Sequence, residues 1–155
     1  MASISIDPGV NACGVAVWES VSNGNTLIYA RLIKSQSAGA KAMVESVANN
    51  LDLRTYDVLA IELPQIYVRS RSKGDPNDLI QLALVVGAFV QRFTGTVVMY
   101  KPHEWKGTVP KKIMIERILK RLSNDEKSRI QKAPNSLLHN TVDAIGIGLY
   151  HTKRL

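Results

Sequence analysis

Asp7, Glu62 and Asp143 are the residues of this chain whose types and settings best suit chemistry. Asp7 ends the run Ile4-Ser5-Ile6, and the turn residues Pro8-Gly9 separate it from a second alternating run, Val10 to Trp18. An aspartate at the tip of a core strand is costly to desolvate unless it is partnered or binds a cation. Glu62 closes Asp57-Val58-Leu59-Ala60-Ile61, a nearly continuous apolar run that suits a central parallel strand buried on both faces. If that strand pairs parallel with the first, the two carboxylates end side by side. That edge is where open α/β sheets bind ligands. Neighbouring carboxylates repel unless a divalent cation lies between them. Asp143 follows His139 and Asn140 by one helical turn, so the three share a face.

Each residue also has a plainer reading. Asp7 could start a hairpin turn, Glu62 cap a loop, Asp143 pair with a lysine, and His139 be a packed histidine. The acids gain weight together, because all fall at segment ends that one topology would gather. Their oxygen donors favour Mg²⁺ or Mn²⁺ over zinc, and no Cys/His cluster offers a zinc site.

Charge points to the partner. The net charge is +7, and between Lys101 and Lys132 ten basic residues stand against four acids. Such a patch suits a polyanion, most simply nucleic acid, although a solvated basic helix face would read the same way. The 155 residues are 45% hydrophobic, enough for the core of one domain, 1–155, with no linker or repeat. A single cysteine, Cys13, excludes an internal disulfide, so a reducing cytosolic setting is expected, with Cys13 as a buried filler. No run is long enough to span a bilayer, and no signal peptide is evident. A soluble cytoplasmic protein is the expectation.

These residues need elements to hold them. Three strands are expected first, an antiparallel meander, with Gly9 and Gly14 at positive or crowded backbone positions and a turn at 22–25. A helix from Lys41 follows, then the Asp57 strand, then an exposed basic loop from Pro64 to Asn77 carrying Arg69, Arg71 and Lys73. Asn77 or Asp78 caps the next helix, Leu79 to Phe93, whose apolar circumference predicts deep packing. Thr96 to Tyr100 is a short strand, and Lys101 to Gly107 a loop. Pro110 opens a basic helix to Leu122. Residues 124–136 are irregular, and a last helix runs from near Leu137 to about His151. Its Ala144, Gly146 and Gly148 would let it approach the sheet closely. The plan is α/β, a mixed sheet with an antiparallel and a parallel half.

Ile6-Asp7-Pro8-Gly9, Ala60-Ile61-Glu62 and His139-Asn140-Thr141-Val142-Asp143-Ala144, in that order, resemble the RuvC-type Holliday junction resolvases of the RNase H-like superfamily. Tyr100-Lys101-Pro102-His103-Glu104-Trp105-Lys106 resembles that family's Tyr-Thr-Pro-x-x-Val-Lys segment, and a basic helix follows it. The resemblance runs from Ser3 to about His151. It implies an RNase H-like sheet, three antiparallel strands followed by parallel ones, with flanking helices. It implies metal-binding carboxylates at Asp7, Glu62 and Asp143. A fourth ligand three residues before the last aspartate falls on Asn140, with His139 beside it, a departure that leaves either as the candidate. Lys106 matches the family's lysine, and Lys111 or Lys112 a second one, across a shortened loop, Gly107 to Pro110. Tyr67 falls two residues late for the family's stacking aromatic.

The activity so implied is two-metal hydrolysis of a DNA phosphodiester, with Mg²⁺ or Mn²⁺. One ion activates water and the other stabilises the leaving oxygen, while the lysines offset phosphate charge. Lys101, Lys106, Lys111, Lys112, Arg69, Arg71 and Lys73 would hold backbone phosphates of a branched DNA, a contact set that positions without reading sequence. Symmetric cutting of a four-way junction implies a C2 homodimer, first sought on the Leu79 to Phe93 helix. The rivals are an RNase H-like nuclease acting on other branched DNA, flaps or RNA–DNA hybrids, and a non-catalytic junction-binding module. The short lysine loop and lack of extra domains would suit a phage or mobile-element enzyme.

Overall fold

The computed structural model describes residues 1–66 and 75–155. The expectations for Tyr67, Arg69, Arg71 and Lys73 lie outside the described residues. The chain runs β1 (Ala2–Asp7), β2 (Ala12–Val21), β3 (Gly24–Lys34), α1 (Ala40–Asn50), β4 (Val58–Glu62), α2 (Pro76–Arg92), β5 (Thr96–Tyr100), α3 (Pro102–Trp105), α4 (Lys111–Lys120), α5 (Asn124–Ser128) and α6 (Leu138–His151). The sheet order is β3-β2-β1-β4-β5, with the β3-β2-β1 half antiparallel and β1, β4 and β5 parallel.

Strand alternation decides which side chains meet. Ile4 and Ile6 of β1 and Leu59 and Ile61 of β4 point to one face, where Met43, Val44 and Val47 of α1 and Val85, Val86 and Phe89 of α2 cover them. Ala60 of β4 and Ala16 and Trp18 of β2 point to the other, against α6, α4 and Trp105. Asp7 and Glu62 share the parity of Ser5 and Ala60, so both carboxylates face α6. Register completes the placement: Ile6 lies opposite Ile61, and the next step sets Asp7 beside Glu62.

Helix α6 is clasped to β1 by a polar contact inside the core. Ser5 Oγ donates to the Ala144 carbonyl at 2.7 Å and accepts from Trp18 Nε1 at 2.9 Å. Gly148 lies against the Trp18 ring and Gly146 against Trp105 and Ile118, with no room for a Cβ at either. Gly9 and Gly14 matter for crowding alone. The positive-φ glycines are Gly24, Gly39 and Gly107, whereas Gly14 is where the Asn140 backbone of α6 presses on β2. Cys13 is buried in the α1/α2 core, and that burial pushes its thiol up to about 12.

Four expectations change. The α2 cap is Asp75, not Asn77 or Asp78: its carboxylate accepts from the Asn77 N–H, and Pro76 fills the first helical position. Helix α2 is not deeply packed either, since only Val85, Val86 and Phe89 are buried while Ile80 and Leu84 are 59% and 55% exposed. Its apolar circumference exceeds what one sheet face and α1 cover. The Lys101–Gly107 loop contains a helical turn, α3, held by Glu104 accepting from the Lys101 N–H. Residues 124–136 include α5, where Ser123 and Glu126 cap each other. Glu126 is buried there, accepting from the Leu27 N–H and pairing with Arg154. Burial alone would raise its pKa, but Arg154 and these N–H groups outweigh it and hold the carboxyl at about 2. Among the described residues no helix is long and apolar enough to cross a membrane.

Candidate active site

The three carboxylates converge at the carboxyl edge of β1 and β4. Asp7 comes from the end of β1, Glu62 from the end of β4, and Asp143 from the second turn of α6. Lys106, just past α3, reaches in among them. Its Nζ is 3.3 Å from Glu62 Oε2 and 4.0 Å from Asp143 Oδ2. Trp105 Nε1 donates to the same Glu62 Oε2 at 2.8 Å, and the Lys106 ammonium lies 4.8 Å from the centre of the Trp105 ring.

The electrostatics of the cluster follow from its burial. Desolvation, then the charges of Asp143 and Glu62, raise the Asp7 pKa well above the ordinary aspartate value, against the opposing pull of Lys106 and Lys111. Burial also raises Glu62, opposed by Lys106 and the Trp105 N–H, and raises Asp143, opposed by Lys106 and Lys111. Burial works against the charge of Lys106, yet Glu62 and Asp143 outweigh it and lift its pKa. The carboxylates are thus short of positive charge, and Asp7 accepts no hydrogen bond from the described residues.

That deficit tests whether a metal fits. Oxygen donors around a desolvated carboxylate that lacks a hydrogen-bond partner suit a hard divalent cation. Yet among the described residues no three His, Cys, Asp or Glu side chains lie close enough to hold one ion. Asp7, Glu62 and Asp143 are near enough to act on one another electrostatically without closing on a common point. Like charges keep apart, and the Lys106 ammonium stands between two of them. The carboxylate oxygens fit a hard cation in kind.

The remaining expected residues separate. Lys111 and Lys112 are both exposed, but only Lys111 is among the leading charges on Asp7, Asp143 and His139. Burial lowers the His139 pKa, and Lys111 and Lys106 lower it further, so its imidazole is neutral at neutral pH, the form that ligates metals. The backbone of Asn140 packs on Gly14. Lys101 is exposed at the start of α3. Sequence reasoning missed Trp105 and Ser5. A signal existed for Trp105: a tryptophan buried beside a charged site needs a partner for its N–H.

No family model matches the chain. The crossover junction endodeoxyribonuclease RuvC of Campylobacter lari is 29% identical to it, over 100% of this chain and 98% of that protein. The same-named protein of Campylobacter jejuni is 28% identical over 98% and 94%. In fold, the Thermus thermophilus RuvC structure superposes with a TM-score of 0.62 at 20% identity, covering 97% of this chain and 93% of that one. The fowlpox virus resolvase, in its complex with Holliday junction DNA, also reaches 0.62, at 22% identity and covering 99% and 97%. Sheet order, helix placement and these superpositions make the fold an RNase H-like α/β fold. Within that class the chain is RuvC-like: it resembles the RuvC-type Holliday junction resolvases along its whole length, in sequence and in fold.

Proposed function

We propose that this chain is a metal-dependent endodeoxyribonuclease that resolves four-way DNA junctions, its 155 residues forming one nuclease domain. The observation that carries the reading is the convergence of Asp7, Glu62 and Asp143 from three distant segments around the Lys106 ammonium. Asp7, Glu62 and Asp143, with His139 as a further ligand, would hold two Mg²⁺ or Mn²⁺ ions. Bound there, the metal would supply an activated water and a counter-charge for the leaving 3′-oxygen. The protein's own groups do the rest. Lys106 and Lys111 place ammonium charge where a scissile phosphate would enter. Partial burial of the carboxylates lowers the screening of those charges. The exposed bases of α4, Lys112, Arg117 and Lys120, would hold backbone phosphates, so binding should weaken steeply with salt.

The deciding experiment is Mg²⁺- and Mn²⁺-dependent cleavage of a synthetic four-way junction, with both nicks mapped, beside flap, duplex and RNA–DNA hybrid substrates. Symmetric paired nicks in the junction are expected. Preference for a flap or hybrid would favour a different nuclease, and metal-independent junction binding without nicking would favour a binding module.

Paired nicks require paired sites, and the uncovered strip of α2 supports a homodimer through Ile80 and Leu84. Leu84→Asp places a charge on that strip without entering the α1/α2 core. The variant is expected to keep its fold, sediment as a monomer where the native protein is a dimer, and lose coordinated nicking of opposite strands. An unchanged sedimentation coefficient would remove α2 from the interface.

A further inference from the structure

We propose that the Trp105 indole N–H is a positioning donor that fixes the Glu62 carboxylate for cation binding. The inference rests on the metal-dependent reading above and adds a residue to it. Where the resolvase-like segment carries a valine before its lysine, this chain carries a tryptophan. The tryptophan is 4% exposed, with its only polar atom turned onto Glu62 at 2.8 Å.

Three observations argue that this is a built contact. First, Trp105 and Lys106 both donate to Oε2 of Glu62, at 2.8 and 3.3 Å, and no described donor reaches Oε1. One carboxylate oxygen is anchored, and the other is left for a ligand. Second, the indole is pinned by packing. Its six-membered ring lies over Gly146 of α6, where a Cβ would come within 2.6 Å of it, and Ile118 of α4 closes on the same glycine. The absence of a side chain at residue 146 is what admits a ring of this size. Third, the Lys106 ammonium sits 4.8 Å from the ring centre, so one side chain orients both the acid and its counter-charge. A ligating carboxylate with such an outer partner loses about 10- to 100-fold in metal affinity or activity when the partner is removed.

Trp105→Phe keeps a buried aromatic ring and removes the N–H. The native protein and the variant would be compared for junction cleavage across a Mg²⁺ series, with circular dichroism confirming the fold. The half-saturating Mg²⁺ concentration is expected to rise about ten-fold or more, with a smaller fall in rate at saturating metal. The second readout needs no turnover. In a ¹⁵N–¹H correlation spectrum the chain has two indole signals, from Trp18 and Trp105. The one lost in Trp105→Phe should shift on adding Mg²⁺, while that of Trp18, bonded to Ser5 inside the core, should not. Glu62→Gln should abolish the shift.

An unchanged half-saturating Mg²⁺ concentration in folded Trp105→Phe, or a Trp105 signal indifferent to Mg²⁺ in a native protein that cleaves, overturns the proposal. A native protein that neither cleaves nor binds Mg²⁺ overturns the functional reading beneath it instead.

Discussion

Asp7→Asn should abolish junction cleavage and at the same time make the metal-free protein more stable. Cleavage should fall by roughly 10³-fold or more, the scale on which losing one member of a site that acts as a unit costs. Binding to the junction should persist, because the bases of α4 and around Lys101 are untouched. The stability gain is the more telling result. Asp7 is a half-buried, strongly desolvated carboxylate facing Glu62 and Asp143, and it accepts no hydrogen bond from the described residues. Its amide isostere removes the charge and supplies donors toward those neighbours. Relief of up to about 3 kcal/mol is expected, the upper end of the cost of leaving a buried polar group unpaired, or at most roughly 12 °C in melting temperature.

The pH dependence has a definite sign. A carboxyl whose pKa is raised in the fold binds its proton more tightly folded than unfolded, so stability falls as pH climbs from the ordinary aspartate range through the raised value. Asp7, Glu62 and Asp143 all shift upward. The metal-free native protein should therefore weaken over that window, and Asp7→Asn should flatten the slope. Saturating Mg²⁺ should stabilise the native protein by about 2.7 kcal/mol at a hundred times its Kd, and the variant by much less. Thermal melts at several pH values, with and without Mg²⁺, check all of this. An Asp7→Asn protein that melts lower than the native one without metal would mean that Asp7 is satisfied by the fold itself.

The positions of these carboxylates were legible in the sequence because they follow from periodicity. An apolar run bounded by acids is a buried parallel strand, and alternation then fixes which face Glu62 shares with Asp7. The spacing of Asn140, Asp143 and the small residues after them likewise marks a helix laid closely on a sheet. What stayed hidden depends on partners that no local pattern names. The apolar circumference of α2 says that its faces avoid water, but not that Ile80 and Leu84 go uncovered by this chain. The tertiary bonds of α5, from Glu126 to Leu27 and Arg154, join residues about a hundred and about thirty positions apart. Trp105 was readable as a large apolar residue beside a lysine. Its hydrogen bond to Glu62 became visible only when β4 and α3 were set side by side.

The largest effect on the fold is expected from a single methyl group, in Gly14→Ala. Gly14 of β2 pairs with Asp7 across the β1/β2 hairpin and meets the Asn140 backbone of α6, so it links the strand beside the first carboxylate to the helix that carries Asp143. The Asn140 carbonyl occupies the space a Cβ would take. A flexible side chain could swing aside; a helical carbonyl moves only with its helix. Ser5 holds α6 to β1 at Ala144, so the helix cannot retreat as a rigid body without breaking that bond. Overpacking of this kind costs about 1–3 kcal/mol and at times more, a fall in melting temperature of roughly 2–12 °C. The functional loss should be steeper than the thermal one. A shift of about 1 Å at the start of α6 displaces Asp143 and His139 relative to Asp7, and misplacement on that scale costs about 10²-fold in rate. Gly9→Ala crowds the Ala12 carbonyl in the neighbouring turn and leaves the α6 contact alone, which makes it the control. Gly14→Ala should lose cleavage even at temperatures where it remains folded, while Gly9→Ala loses activity only in step with its stability. Equal activity-to-stability ratios in the two variants would show that the Gly14 contact serves the fold and does not set the site.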